Sequence, residues 1–133
     1  MRLRALAATA AVLLVPTSVA YAHTPLKSVT PKKNSTQHSS VKSVRATFKA
    51  KMQTGIITIT TSSGATVPLK SSGLLSSNKA VVRAVPRSPL GSGTYKVSWR
   101  ARAGDGHSEK GSWSFKVPFS EWPSPARARQ LTL

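Results

Sequence analysis

The chain has 133 residues with 20 Lys and Arg, three Asp and Glu and no cysteine, which gives a formal net charge of +17. This length favours one domain, and the lack of cysteine excludes disulfides and cysteine-ligated zinc, iron–sulfur and blue-copper sites. The basic residues predict association with anionic surfaces. They are scattered along the chain, with Lys32-Lys33 as the longest run, which favours solvated strand faces over a specific nucleic-acid-binding segment.

Residues 1–22 have the features of a cleaved secretory signal peptide. Arg2 and Arg4 give a positive start, residues 5–15 form an apolar run, and Ala20-Tyr21-Ala22 has the small-x-small form of a cleavage site. The run is too short to span a hydrocarbon layer of about 30 Å as a stable helix. Cleavage would leave an exported domain of 111 residues with 18 basic and three acidic side chains.

The rest of the chain predicts short strands. The first four predicted strands are 24–31, an edge strand because of Pro25 and Pro31, then 41–49, 55–61 and 65–69. Residues 52–55 are interpreted as a connection and 62–64 as a turn. A Ser- and Gly-rich loop is predicted at 71–78, followed by a strand at 80–85.

The strongest strand pattern comes last. Apolar and polar residues alternate over 95–102 and again over 112–117, so these runs predict a hairpin with its aromatic side chains on one core face. Residues 104–111 are interpreted as its loop, and residues 90–95 as a tyrosine corner around Tyr95. The predicted fold is all-β, a seven-stranded Greek-key β-barrel or sandwich of immunoglobulin-like or cupredoxin-like shape, over residues 23–117. Residues 118–133 are expected to form a loosely ordered C-terminal tail.

Two distant points predict a copper site. Cleavage after Ala22 would make His23 the first residue, whose α-amine and Nδ1 can chelate one metal; their ordinary pKa values are about 7.7–8 and 6.5. Asp105 and His107 add a carboxylate and an imidazole. Nitrogen and oxygen donors in tetragonal geometry favour copper(II), so one copper(II) ion on His23, Asp105 and His107 is predicted.

A rival terminal copper motif is excluded by Pro25. A histidine at mature position three binds copper(II) through two intervening amides, and Pro25 at that position has no amide proton. Each half of the predicted site also has an incidental explanation. Cleavage predictions slip by a residue or two, and Asp-Gly is a common turn pair.

Several stretches resemble the CopC family of exported copper-binding proteins. They are 23–31 at the mature start, 44–48 as a first core strand, and 90–100 with 105–107 and 111–117 near the end. The resemblance implies a seven-stranded Greek-key barrel that binds copper in the periplasm, without enzymatic activity, for copper tolerance or supply. It also implies copper ligation by His23, Asp105 and His107, and an inner-membrane copper transporter of CopD type as partner. The chain is expected to be a monomer.

Three features depart from the family pattern. Met52 is the sole methionine after residue 22, so a second, copper(I) site is not expected. The family's Phe-Ser-Glu is replaced by Phe48-Lys49-Ala50, which removes an acid behind the N-terminal amine and is expected to weaken the site. The loop before Asp105 is basic, and its positive field is expected to disfavour a dication. Apart from these departures, His38 matches no family ligand and is interpreted as a surface residue.

Two other functions remain open from the sequence. An N-terminal histidine with a second histidine also builds the copper centre of lytic polysaccharide monooxygenases, although those domains are usually larger and Asp105 would occupy a position needed for oxygen. A basic immunoglobulin-like adhesion or binding module without metal would instead use the positive surface directly.

Overall fold

A computed structural model describes residues 25–119. Seven strands are present: β1 (Leu26–Thr30), β2 (Val44–Phe48), β3 (Met52–Thr61), β4 (Leu69–Leu74), β5 (Val81–Pro86), β6 (Gly93–Ala103) and β7 (Ser108–Val117). Within this range no helix is long and apolar enough to cross a membrane. The predicted signal peptide, His23 and all but the first two residues of the predicted tail lie outside the described residues.

The strands form two antiparallel sheets. One has the order β1-β2-β5-β4 and the other the order β3-β6-β7. The chain therefore changes sheet after β2, β3 and β5. The two sheets do not close into a barrel, so the all-β prediction is confirmed in its sandwich form.

The core lies between the sheets and follows the alternation seen in the sequence. In β2, Val44, Ala46 and Phe48 are at most 2% exposed, and the intervening Arg45 faces solvent. Phe48 meets Trp99 of the opposite sheet edge-on, with ring centroids 5.0 Å apart, a geometry that aromatic pairs favour. The predicted half-buried strand is confirmed.

The β6–β7 hairpin also matches the predicted pairing. Tyr95 lies opposite Phe115, and Val97 lies opposite Trp113, all with buried side chains. The Tyr95 hydroxyl donates a hydrogen bond of 2.9 Å to the Gly91 carbonyl, which confirms the tyrosine corner. The pairing holds β6 and β7 in a single register and so fixes the turn between them.

The predicted hairpin loop over 104–111 is wrong, because β7 already begins at Ser108. The ladder continues through Glu109 and Gly111, which lie opposite Ala101 and Trp99. A Cβ on Gly111 would lie 2.7 Å from the Trp99 ring. The Trp99 indole thus occupies the space beside Gly111 that a side chain would fill. For this reason the alternating apolar pattern of β7 is interrupted at Gly111.

The predicted connection over 52–55 is also wrong, because these residues begin β3. Met52 lies opposite Ala103 and is buried in the core. A Cβ on Gly55 would collide with the side chain of Val82. Gly55 therefore permits a close approach of the two sheets, and a glycine in that role weakens the strand pattern.

Residues 65–69 do not return as a strand beside 55–61, and 71–78 is not wholly a loop. The predicted pairing of 65–69 with 55–61 is reduced to one isolated antiparallel bridge, between Thr60 and Thr66. The strand is instead β4, which pairs with β5 in the other sheet. The Ser72 hydroxyl accepts a hydrogen bond from Ile57 N–H (2.7 Å) and donates one to Ile57 C=O (2.8 Å). This side chain replaces a backbone partner between β4 and β3.

Candidate metal centre

The turn between β6 and β7 carries two of the predicted ligands. Gly106 N–H donates to Ala103 C=O (2.9 Å), and Ala103 N–H donates to His107 C=O (2.8 Å). Gly106 has a φ of 90°, a conformation that glycine adopts without steric cost. The Asp-Gly pair thus makes a tight turn that presents Asp105 and His107 from its tip.

Two side chains outside the turn fix its position. Arg102 Nε donates to Gly106 C=O, and Gln53 Nε2 donates to Gly104 C=O, each at 3.0 Å. Neither bond is predicted from the sequence. Arg102 is one of many basic residues predicted to face outward, and Gln53 lies in the segment predicted to be a connection. The alternation along β6 predicts that Arg102 lies on the outer face, but it does not predict a hydrogen bond to the Gly106 carbonyl.

Asp105 contacts His107 through both carboxylate oxygens. Oδ1 accepts a hydrogen bond of 3.0 Å from His107 N–H, and Oδ2 lies 3.0 Å from His107 Nδ1. The backbone bond first and the side-chain bond second lower the pKa of the Asp105 carboxyl below its ordinary value. The side chains are 62% (His107) and 38% (Asp105) exposed, so a cation from solvent can reach them.

This contact has a chemical consequence for the ring of His107. A carboxylate on Nδ1 favours the tautomer with its proton there and leaves Nε2 as the metal-binding nitrogen. Within residues 25–119, no group of three or more His, Cys, Asp or Glu side chains is placed to hold a metal ion. The pair therefore requires further donors to make a complete copper site.

The start of β1 and the β6–β7 turn lie on either side of the connection between β2 and β3. Lys49 N–H donates to Pro25 C=O at 3.0 Å. Two residues on, the Lys51 carbonyl lies 3.6 Å from where a Cβ on Gly104 would stand. Residues 49–51 thus join the two points at one end of the sandwich. His23 itself lies outside the described residues.

The surroundings of this end are basic. Lys49, Ala50 and Lys51 are all exposed, and Arg102 bonds directly to the turn. Since Ala50 is an alanine, it supplies no negative charge to offset these cations. A positive field disfavours a dication, so the surroundings of the turn oppose copper binding.

Met52 and His38, which were also considered from the sequence, do not contribute to this site. Met52 is 3% exposed and belongs to the core, so its thioether does not face solvent. His38 is exposed and follows Gln37, whose N–H donates to Lys116 C=O. Lys116 is eight residues along β7 from Ser108, a strand distance of about 27 Å. His38 is therefore a surface residue at the opposite end of the sandwich.

The fold and the site define the protein as a β-sandwich with an exposed carboxylate–imidazole pair at one end. The CopC domain model matches residues 26–118, and the chain therefore belongs to the CopC family. The predicted family is confirmed. No curated protein sequence matches the chain.

Solved structures support the same relationship. CopC from Methylosinus trichosporium OB3b matches with a TM-score of 0.64 and 24% identity over 74% of this chain and 97% of its own, which shows the fold. PcoC, a methionine-rich copper resistance protein from Escherichia coli, matches with a TM-score of 0.60 and 27% identity over 72% of this chain and 99% of its own.

Family membership decides between the functions left open by the sequence. Proteins of the CopC family are copper-binding resistance proteins and not enzymes. The prediction of a non-enzymatic protein is confirmed at this level, and a monooxygenase is not supported. The same membership favours a copper-binding protein over an adhesion module without metal.

Proposed function

We propose that this chain is an exported copper(II)-binding protein that carries or buffers copper for copper tolerance or supply. The observation that carries the proposal is the exposed Asp105–His107 pair at the same end of the sandwich as the start of β1. Membership in the CopC family supports it. The similarity to PcoC, a copper resistance protein, supports the same process.

The proposed site combines one copper(II) ion with donors from both points. The α-amine and Nδ1 of His23 form a chelate, and Nε2 of His107 adds a third nitrogen. The backbone from Pro25 back to His23 covers at most about 7 Å, and Pro25 is bonded to the connection that borders the turn. This short reach supports the proposal that His23 and the β6–β7 turn share one copper ion.

Asp105 has two ways to contribute to this site. Both of its oxygens contact His107, so Asp105 holds the imidazole ring in one orientation, as carboxylates do for many metal-bound histidines. Direct coordination by an Asp105 oxygen would require release of the contact to Nδ1. In either role the negative charge favours a bound dication.

The donor set supports copper(II) over copper(I). Nitrogen and oxygen donors suit copper(II), whereas thiolates and thioethers suit copper(I). The chain has no cysteine, and the thioether of Met52 is buried in the core. This composition contrasts with PcoC, which is methionine-rich.

The proposed location is the periplasm, reached through cleavage of the signal peptide after Ala22. CopC homologues are periplasmic proteins, and the positive start, apolar run and cleavage site predicted in residues 1–22 agree with export to that compartment. In this compartment we propose that a monomer exchanges copper with an inner-membrane transporter of CopD type. Copurification with such a transporter in mild detergent, lost when copper is removed, would test the exchange.

The test of the copper site is a copper(II) titration of the exported protein followed by electron paramagnetic resonance. We expect one tight equivalent with a nitrogen-dominated tetragonal spectrum. His107→Ala should weaken binding by at least about 100-fold, since even residues that only support a metal ligand are worth 10–100-fold. His38→Ala is the matched control and should bind like the unchanged protein. Equal affinities for the two variants would contradict the proposed site.

A further inference from the structure

The outer face of the β3-β6-β7 sheet has an unusual charge pattern. Its outward positions carry five exposed basic side chains, which are Lys96, Arg100, Arg102, Lys110 and Lys116. The other outward positions in the paired register are Ser or Thr, with one exception, Ile56. We call this surface the basic face.

Among the described residues, the five cations of this face outnumber the two acidic side chains, Glu109 and Asp105. Glu109 lies opposite Ala101 in the β6–β7 ladder and lines the same shallow depression as Arg100 and Lys110. Asp105 stands in the turn beyond the last row and contacts His107. Arg100 and Lys110 lie directly opposite each other, an arrangement of like charges that destabilises a sheet. An external anionic partner would remove that cost.

The shape of the basic face limits the kind of partner. Its cations lie on two neighbouring strands and reach from Lys116, opposite Thr94, to Arg102, about 27 Å along β6 at the usual rise per residue. They form a stripe two strands wide, and the outward positions of β3 add three threonines and Ile56 to the same surface. A stripe of cations beside an exposed apolar side chain matches a partner that offers both anionic groups and an apolar phase, as a bilayer surface does.

Ile56 distinguishes a bilayer from a purely polar partner. Its side chain is 53% exposed and lies in the same cross-strand row as Arg100 and Lys110. A membrane interface accepts an apolar side chain between basic ones, and the basic side chains gain from the negative surface potential. A soluble polyanion offers Ile56 no comparable apolar environment.

From these observations we infer that the basic face docks on an anionic phospholipid bilayer. The three-stranded sheet would lie parallel to the membrane surface, with Ile56 towards the lipid and the Ser and Thr hydroxyls among the headgroups. Because Arg102 bonds to Gly106, the β6–β7 turn lies at the rim of the docked face. The inference uses no copper ligand and stands independently of the proposed copper site.

The test is cosedimentation of the exported protein with vesicles of phosphatidylcholine and phosphatidylglycerol, compared with phosphatidylcholine alone. Each basic side chain near an anionic surface changes partitioning by about 5-fold. The combined change Lys96→Gln, Arg100→Gln and Lys110→Gln should therefore reduce binding about 100-fold. The control, Lys42→Gln with Lys70→Gln and Lys79→Gln, removes the same charge from exposed positions off the face and should lose far less. Thermal unfolding should show both variants folded, with unchanged copper binding.

Ile56→Ser provides the second arm and should weaken vesicle binding several-fold without changing binding to heparin. Equal losses in the two triple variants would overturn the inference, because binding would then reflect net charge alone. Binding to neutral vesicles, or vesicle binding indifferent to Ile56→Ser, would also overturn it. Binding to heparin through the same three side chains, without binding to vesicles, would identify a linear polyanion as the partner instead.

Discussion

Ala50 lies between the two backbone contacts that border the candidate copper site. Lys49 bonds to Pro25, and the Lys51 carbonyl approaches Gly104. An acid between them would face both the basic surroundings and a bound dication. Its absence explains, in electrostatic terms, why this site should hold copper less tightly than one with a glutamate there.

We predict that Ala50→Glu raises the affinity for copper(II). Ala50 is exposed, so the gain should be that of an exposed ion pair, about two- to five-fold. Competition titration against a chelator of known affinity measures it. Ala50→Gln has nearly the same size without the charge and serves as control. A similar gain from both variants, or no gain from Glu, would show that charge at this position does not reach the metal.

At the scale of the strand, the β6–β7 hairpin was predictable and β4 was not. Strict alternation along β6 encodes both its core face and its pairing with β7. β4 contains Ser71, Ser72 and Gly73, which are typical of a loop. Its order comes from pairing with β5 and from the Ser72–Ile57 bonds. Such tertiary partners leave no periodic pattern in the sequence.

The candidate site also has a part that the sequence predicts and a part that it does not. The Asp-Gly pair and the family resemblance located Asp105 and His107, because a tight turn has a local sequence signature. The turn carbonyls also accept bonds from Gln53, near the start of β3, and from Arg102, near the end of β6. Gln53 is 51 residues from Gly104, and local patterning cannot encode a contact at that separation.

We predict that Ser72→Ala lowers the free energy of unfolding by about 1–2 kcal/mol, because it leaves the N–H and C=O of Ile57 without their partner in a partly buried position. Urea denaturation followed by tryptophan fluorescence measures the change. Ser71→Ala, at an exposed position of the same strand, is the matched control and should be nearly neutral. Equal effects would contradict the bridging role of Ser72.

At the scale of the whole molecule, the sandwich separates two kinds of chemistry. One end brings the start of β1 and the β6–β7 turn to either side of residues 49–51. The outer face of the three-stranded sheet carries an array of cations. Because the ligands proposed for copper do not belong to that face, Lys96, Arg100 and Lys110 can be substituted without removing a copper ligand, whereas Arg102 contributes to both regions.

The central claim is that copper is bound by the free N-terminus of the exported chain together with the β6–β7 turn. The most direct measurement compares the copper(II) affinity of the protein that begins at His23, verified by intact mass, with that of a protein carrying one alanine before His23. The extra residue converts the α-amine of His23 into an amide and breaks the chelate. We predict a loss of about 100-fold or more, as for removal of a metal ligand. Equal affinity of the two forms would contradict the claim.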